Sequence, residues 1–349
     1  MWNKLKKIIG LLLCLLFITA CSKNDIQSIK KRFSDDVNNS KSYEIYAKMK
    51  IVSDEEEFNY NLDIKYLKDN YYKVILTNLS NNHEQVILRN DDGVYVITPS
   101  LNKSFKFDSS WPNNSSQAYL LNSLLNDINN DKKAKYKESK DVYIITAKVN
   151  YPNNEELVKE EIYFNSKMKI KKVVVYDKDN NEKIIVEFDK VDLKANLDED
   201  DFNLNDYINN TNNKENNDNN NCEGSNCDKK TSNILEDIIY PLYLPSNTIL
   251  TSSETINIED GKRVILTFAG EKDFTIIEEA AHVSDEFEIS PVFGDPILLN
   301  DVLGVIETNS IKWTKGNVSY YLTSNNLTSS EMAVIASSMN DAKSVIGSK

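Results

Sequence analysis

The side chains best suited to nucleophilic, redox or metal chemistry in this chain are four cysteines and two histidines, and their spacing supports little of it. Cys222 and Cys227 enclose Glu-Gly-Ser-Asn, and Gly224 lets the chain turn, so outside the cytoplasm the pair is expected to close a small disulfide loop. Zinc is the weaker reading there, because structural zinc usually takes four ligands and no histidine is near. His83 and His282 stand in different halves of the chain, without a serine or cysteine motif beside either. No Gly-x-Ser-x-Gly elbow, His-Glu-x-x-His pair, phosphate loop or dinucleotide loop occurs. Asp177-Lys178-Asp179-Asn180-Asn181-Glu182 starts like a calcium loop, but Glu182 replaces the required glycine and Phe188 the final carboxylate, so a hairpin turn is expected. Carboxylates are plentiful enough that a glycosidase pair acting on cell wall can be imagined, yet Asp198-Glu199-Asp200-Asp201 reads as a solvated charge run. No catalytic residue, metal or cofactor is therefore assigned, and the chain is expected not to be an enzyme. The aromatic residues are more suggestive. Tyr71, Tyr72, Tyr95, Phe105, Phe107, Trp111 and Tyr119 fall in one stretch. They read either as core or, for Tyr95, Phe105, Phe107, Trp111 and Tyr119, as the lining of an apolar groove for an acyl chain or partner peptide.

Where these residues act is set first by the N-terminus. Lys4, Lys6 and Lys7 precede an apolar run from Ile8 through Ile18, too short for the roughly 20 apolar residues of a spanning helix. A basic start, short apolar core and small residues before a cut read as an export signal over residues 1–20. Ile18-Thr19-Ala20-Cys21 resembles the lipobox of bacterial lipoproteins, which implies cleavage before Cys21 and a diacylglyceryl group on its thiol. Two acyl chains hold a protein on a membrane stably, where one binds only marginally at about 0.8 kcal/mol per methylene. Localisation at the outer face of a cell membrane follows. Cleavage also removes three lysines and takes the formal charge from −13 to −16. Nucleic acid is thereby excluded as a partner, since polyanion binding needs a basic face and Lys167 to Lys172 alternates with Met168 and Ile170 like the edge of a strand.

The chain divides at an asparagine tract. From Asn209 to Asn221, nine of thirteen residues are asparagine and none is apolar, so the segment cannot offset its ordering entropy and reads as a tether. The expected division is a domain over 21–208, a linker carrying the cysteine pair over 209–232, and a C-terminal α+β domain over 233–349. Ile26, Ile29, Phe33 and Val37 repeat at helical spacing. Tyr43, Ile45, Ala47, Met49 and Ile51 alternate as one face of a strand, and strand patterns recur near 58–68, 70–79, 84–90, 93–98, 142–150, 157–165, 170–177 and 183–191. Asp91-Asp92-Gly93 predicts a hairpin turn. A helix capped by Asn114 with Gln117 three residues on would lay Leu121, Leu124, Leu125 and Ile128 on the sheet. Beyond the tract, strands are predicted near 247–258, 263–269, 273–280, 302–308, 311–315 and 318–324. A last helix follows, with Thr328 and Glu331 as capping box and Leu327 and Met332 as staple. Strands and helices do not alternate, which argues against a doubly wound parallel sheet.

The stretch Val86-Ile87-Leu88-Arg89-Asn90-Asp91-Asp92-Gly93-Val94-Tyr95-Val96-Ile97-Thr98-Pro99, continuing through Asn102-Lys103-Ser104-Phe105-Lys106-Phe107 to Trp111-Pro112-Asn113-Asn114, resembles the sporulation and germination lipoproteins of spore-forming Gram-positive bacteria, of the GerS and YdcC kind. The resemblance covers roughly residues 24–208. It implies the fold of LolA and RseB, a half-open antiparallel β-barrel with helices on its concave face. The C-terminal part, with Ile311-Lys312-Trp313, Gly316 and the strand Val318 to Leu322, is similar to a small domain of unassigned function found on such lipoproteins. The resemblance further implies a non-catalytic role in sporulation or germination, through docking and regulating a cell-wall amidase that modifies the spore cortex. The space between the forespore and mother-cell membranes is where such an anchor would place it. A lipid or acyl chain held in the half-barrel is the alternative ligand.

Overall fold

The computed structural model describes residues 26–53, 56–140, 142–208, 235, 237–259 and 261–340. Cys21, Cys222 and Cys227, the export signal and the asparagine tract lie outside them. After helix α1 (Ile26–Asn38) come six strands, β1 (Ser42–Ser53), β2 (Glu56–Leu67), β3 (Tyr71–Asn78), β4 (Glu84–Asn90), β5 (Gly93–Thr98) and β6 (Lys103–Phe107), in an antiparallel meander. Helix α2 (Leu121–Asn130) then leads to a second meander, β7 (Lys135–Ser139), β8 (Val142–Lys148), β9 (Leu157–Phe164), β10 (Ile170–Asp177) and β11 (Glu182–Asp192). β11 pairs antiparallel with β1, with Val186 opposite Met49, so the two meanders fuse into one open sheet.

Side-chain alternation explains which face is covered. Ile45, Ala47, Met49 and Ile51 of β1 are buried while Tyr46, Lys48 and Lys50 point away. Onto that inner face α1 presses Ile29, Phe33 and Val37, and α2 presses Leu121, Leu124, Leu125 and Ile128. Each large apolar side chain so buried contributes about 1.5–3 kcal/mol. The molecule is thus α+β, with an open, half-barrel sheet and both helices in its concavity.

The second sheet contains β12 (Thr248–Ile258), β13 (Gly261–Gly270), β14 (Phe274–Ala280), β16 (Asp295–Leu299), β17 (Val302–Ile306), β18 (Ser310–Lys315) and β19 (Val318–Thr323), backed by α3 (Ser329–Asn340). The start of α3 is the expected capping box: Glu331 N–H donates to Thr328 Oγ1 at 3.2 Å and Thr328 N–H to a Glu331 carboxylate oxygen at 2.9 Å. Met332, Ile335, Ala336 and Met339 pack on Trp313, Leu322 and Ile276. Between β14 and β16 the chain leaves this sheet: β15 (Glu288–Val292) runs parallel to β6 and becomes an edge of the first sheet. Gly294, at the return, has no room for a side chain, since a Cβ would lie 2.1 Å from the carbonyl oxygen of Ile306.

Two expectations are corrected. The helix predicted from Asn114 begins at Leu121, with Leu120 in extended conformation at its N-cap. Residues 113–120 are irregular because their polar groups serve distant partners. The Asn114 side-chain amide donates to Asp295 at 2.7 Å, and the Asn150 backbone pairs with Ser116, its N–H donating to Ser116 Oγ and its carbonyl accepting from Ser116 N–H. Strands β6, β7, β15 and β16 are additional to those predicted by alternation. Pro291 and Pro296 sit in the last two, which are edge strands, where a missing N–H is tolerated.

Candidate functional site

The concave face of the first sheet is not left open along its length. β16, β17 and α3 fold over one end of it, and Leu298, Leu303, Val305 and Val292 join the first core. Polar contacts fix this seam. The Gln85 carboxamide, 6% exposed, clasps the backbone of Leu303 from both sides: Leu303 N–H donates to its oxygen at 2.6 Å and its nitrogen donates to the Leu303 carbonyl at 3.2 Å. Tyr60 O–H donates to the carbonyl of Asn300 at 2.8 Å, and the Asn300 amide donates to Ser53 Oγ at 3.2 Å. Asp295 accepts from Ser109 and Asn114. Leu101 O and Asn102 O accept from Ser284 N–H and Glu288 N–H at 3.1 and 2.8 Å.

Under this seam lies a cavity of about 340 Å³. Met49, Ile51, Trp111, Leu157 and Leu303 give it apolar walls, Tyr119 and Tyr151 aromatic ones, and Tyr243 and Val334 stand at its margin, both substantially exposed. Gln117, Asn154, Asp177 and Asn300 bring polar groups to the same space. That volume is at the small end of ligand sites. Its chemistry suits an apolar body with a polar head, and it contains no nucleophile paired with a base. Among the described residues, no group of three or more His, Cys, Asp and Glu is placed to hold a metal.

The five candidate groove residues are dispersed by the fold. Trp111 and Tyr119 line the cavity, both almost fully buried. Phe107 is buried in the same core and Phe105 packs against it, neither reaching the cavity. Tyr95 is on the opposite face, in a separate cluster with Tyr71, Val86, Leu88, Ile97 and Phe202. β5 is covered on both sides because Phe202, on a short helical turn at Glu199–Phe202, closes the convex face there. Asp198, first of the acidic run, caps that turn by accepting from Asp200 N–H at 3.1 Å. Asp177 accepts from Asp179 N–H and Asn181 N–H at 2.9 and 2.8 Å, making the β10–β11 hairpin turn expected for that stretch.

Two groups behind the cavity escaped the sequence reading. Glu160 of β9 is fully buried, and neither of its carboxylate oxygens has a hydrogen-bond partner. Asp127 of α2 is its neighbour; Ser116 stands beside its carboxylate, and Oδ2 is buried without a partner. Burial raises the pKa of both, to about 6 for Asp127 and well above the carboxylate range for Glu160, where the Asp127 charge adds to the effect. The signal was present in the sequence: Glu160 shares the inward face of β9 with Ile162 and Phe164.

The family model for sporulation protein YdcC-like chains matches residues 4–202. The chain is 36% identical over 332 residues to sporulation protein YdcC of Bacillus subtilis strain 168, covering 94% of each chain. Among solved structures it is similar to a chain in the complex structure of Pseudomonas aeruginosa MucA/MucB, at 10% identity and a TM-score of 0.31, covering 88% of this chain and 97% of that one. It is also similar to a chain in the structure of the Clostridioides difficile CwlD amidase in complex with the GerS lipoprotein, at 17% identity and a TM-score of 0.30, covering 48% of this chain and 95% of that one.

Proposed function

We propose, from the premise that this chain belongs to the family of YdcC-like sporulation proteins, that it is a non-catalytic lipoprotein that supports sporulation or germination by binding a protein partner. The observation that carries this reading is the likeness to a sporulation protein along 94% of the chain, both sheets included. In this proposal Cys21 carries the diacylglyceryl anchor, the folded part stands at the outer face of the membrane, and Cys222 and Cys227 are bonded. The partner is a cell-wall amidase that modifies the spore cortex, consistent with the resemblance of residues 86–114 to germination lipoproteins. Deleting the gene tests the role: normal germination with unchanged cortex chemistry overturns it. Capture from sporulating cells with wild-type protein and Cys21→Ala tests the partner, and recovery of a cell-wall amidase with wild type is the expected result.

The cavity favours a second reading, in which its apolar floor holds an acyl chain. Native mass spectrometry of the folded part separates the two, because a lipid carrier emerges with bound lipid and a partner-binding protein emerges empty.

A further inference from the structure

The uncharged interior around Glu160 connects to the cavity wall through a short chain of contacts. On its own sheet Glu160 sits between Ala147 of β8 and Val175 of β10, which offer it no polar atom. Across from it α2 presents Asp127. From the loop after β8, Tyr151 stands near both carboxylates and Tyr119, beside the backbone of Ala118. From the loop before α2, Ser116 stands beside Asp127, and it is laced to Asn150: Asn150 N–H donates to Ser116 Oγ and Ser116 N–H to Asn150 O, each at 2.7 Å. Tyr119 O–H donates to the Gln117 side chain at 2.8 Å. Lys30 of α1 also reaches α2, but its ammonium donates to the carbonyl of Ile128 at 3.2 Å. Thus no cation faces the two acids from any of these elements, while Tyr151, Ala118, Gln117 and Tyr119 belong at once to this cluster and to the cavity wall.

Two carboxylates sharing a dry site cannot both ionise without a large cost, since burial penalises each charge and each charge penalises the other. Protonation removes the charge penalty and leaves only the smaller one of a neutral carboxyl without a hydrogen-bond partner. We propose that Glu160 and Asp127 form a proton-operated latch on the cavity: while both are protonated, α2 and the loops at 115–120 and 150–157 stay packed over them, and the charges left by loss of the protons drive those elements apart. The direction is fixed by the chemistry. Acids that hold their protons more tightly when buried favour the closed form at low pH, and this advantage is lost as pH rises through their buried range. Release exposes the face on which Trp111 and Tyr119 lie, so the latch makes access to the cavity depend on pH, which for a chain anchored as proposed above is the pH outside the membrane.

Hydrogen exchange of the folded part, measured from pH 5 to pH 8 and corrected for intrinsic rates, tests this. Wild type is expected to lose at least tenfold protection in 116–130 and 150–157 over that range, while β13 and β14 stay level. Glu160→Gln combined with Asp127→Asn is expected to keep those segments protected throughout, and Glu160→Met with Asp127→Asn, which needs no hydrogen bond at 160, serves if the amide is not tolerated. A wild-type profile flat with pH overturns the latch. So does an unchanged pH response in both variants. Recovery of protection at pH 8 on adding calcium or sodium chloride would also overturn it, because the pair would then be holding a metal cation instead of protons.

Discussion

Replacing Gln85 by methionine removes the clasp on Leu303 while keeping the volume of the side chain. Gln85 is buried at the junction of β4 with β17, and its two hydrogen bonds satisfy the N–H and C=O of Leu303, whose residue is itself 5% exposed. A net hydrogen bond is worth about 0.5–1.5 kcal/mol, and a buried backbone group left unpaired costs about 1–3 kcal/mol. With both partners of Leu303 lost and little water able to replace them, Gln85→Met should destabilise the protein by about 3 kcal/mol. The loss should fall on the seam, so chemical denaturation followed by two probes is the assay. Trp111 reports the first sheet and Trp313 the second, each made the dominant reporter by replacing the other tryptophans with phenylalanine. Wild type should unfold with coincident transitions, whereas Gln85→Met should separate them, the seam no longer coupling the two cores. A loss below about 1 kcal/mol with transitions still coincident would refute the reasoning, because the clasp would then be incidental to apolar packing by Leu298, Leu303 and Val305.

Glu278 is fully buried, and its burial pushes its pKa up to about 7 against a pull downward from Ile239 N–H, which donates to it at 3.1 Å. Its folded pKa lies above its unfolded one, so stability is complete below about pH 4.5 and falls as pH rises through 7, by about 3 kcal/mol at 1.36 kcal/mol per pKa unit. Glu278→Gln keeps the acceptor and should flatten that decline in urea titrations run at pH 5 and pH 8. Trp111→Ala should cost about 3–5 kcal/mol and enlarge the cavity, with the loss read by thermal unfolding. Thr328→Ala removes the hydroxyl that accepts from Glu331 N–H and should cost about 1 kcal/mol, visible as fraying of the first turn of α3 in hydrogen exchange.

The strands were legible wherever one face is buried and the other wet, as in β1, because alternation is then written into the residues themselves. β5 defeats that rule: Val94, Tyr95, Val96 and Ile97 are all buried, since a turn more than a hundred residues later covers the second face. Tyr95 therefore could not be assigned to the right side from its own neighbourhood. The cap of α3 was legible because Thr328 and Glu331 satisfy each other locally, whereas Asn114 looks like a cap and instead bonds Asp295 on another sheet. Trp111 and Tyr119 were visible as aromatic residues but not as cavity walls, because the opposite wall comes from Leu298, Leu303 and α3. Glu160 is the instructive case. A carboxylate in phase with apolar residues on a strand is a local inconsistency, and here it marks the least ordinary chemistry in the fold.

The excursion of β15 onto β6 gives the chain an interlocked connectivity. The path enters the second sheet at β12, leaves it after β14 to add β15 to the first, and returns for β16. No single cut between the two halves can yield a first half with all its strands, because its edge strand is encoded some 180 residues after the strand it pairs with. Cleavage in the asparagine tract would break one covalent tether and leave the strand pairing, the Gln85 clasp and the shared core in place. The nicked protein should therefore behave as a two-chain complex, and a gene shortened at that tract would encode a sheet with an unpaired edge exposed to whatever strand it meets next.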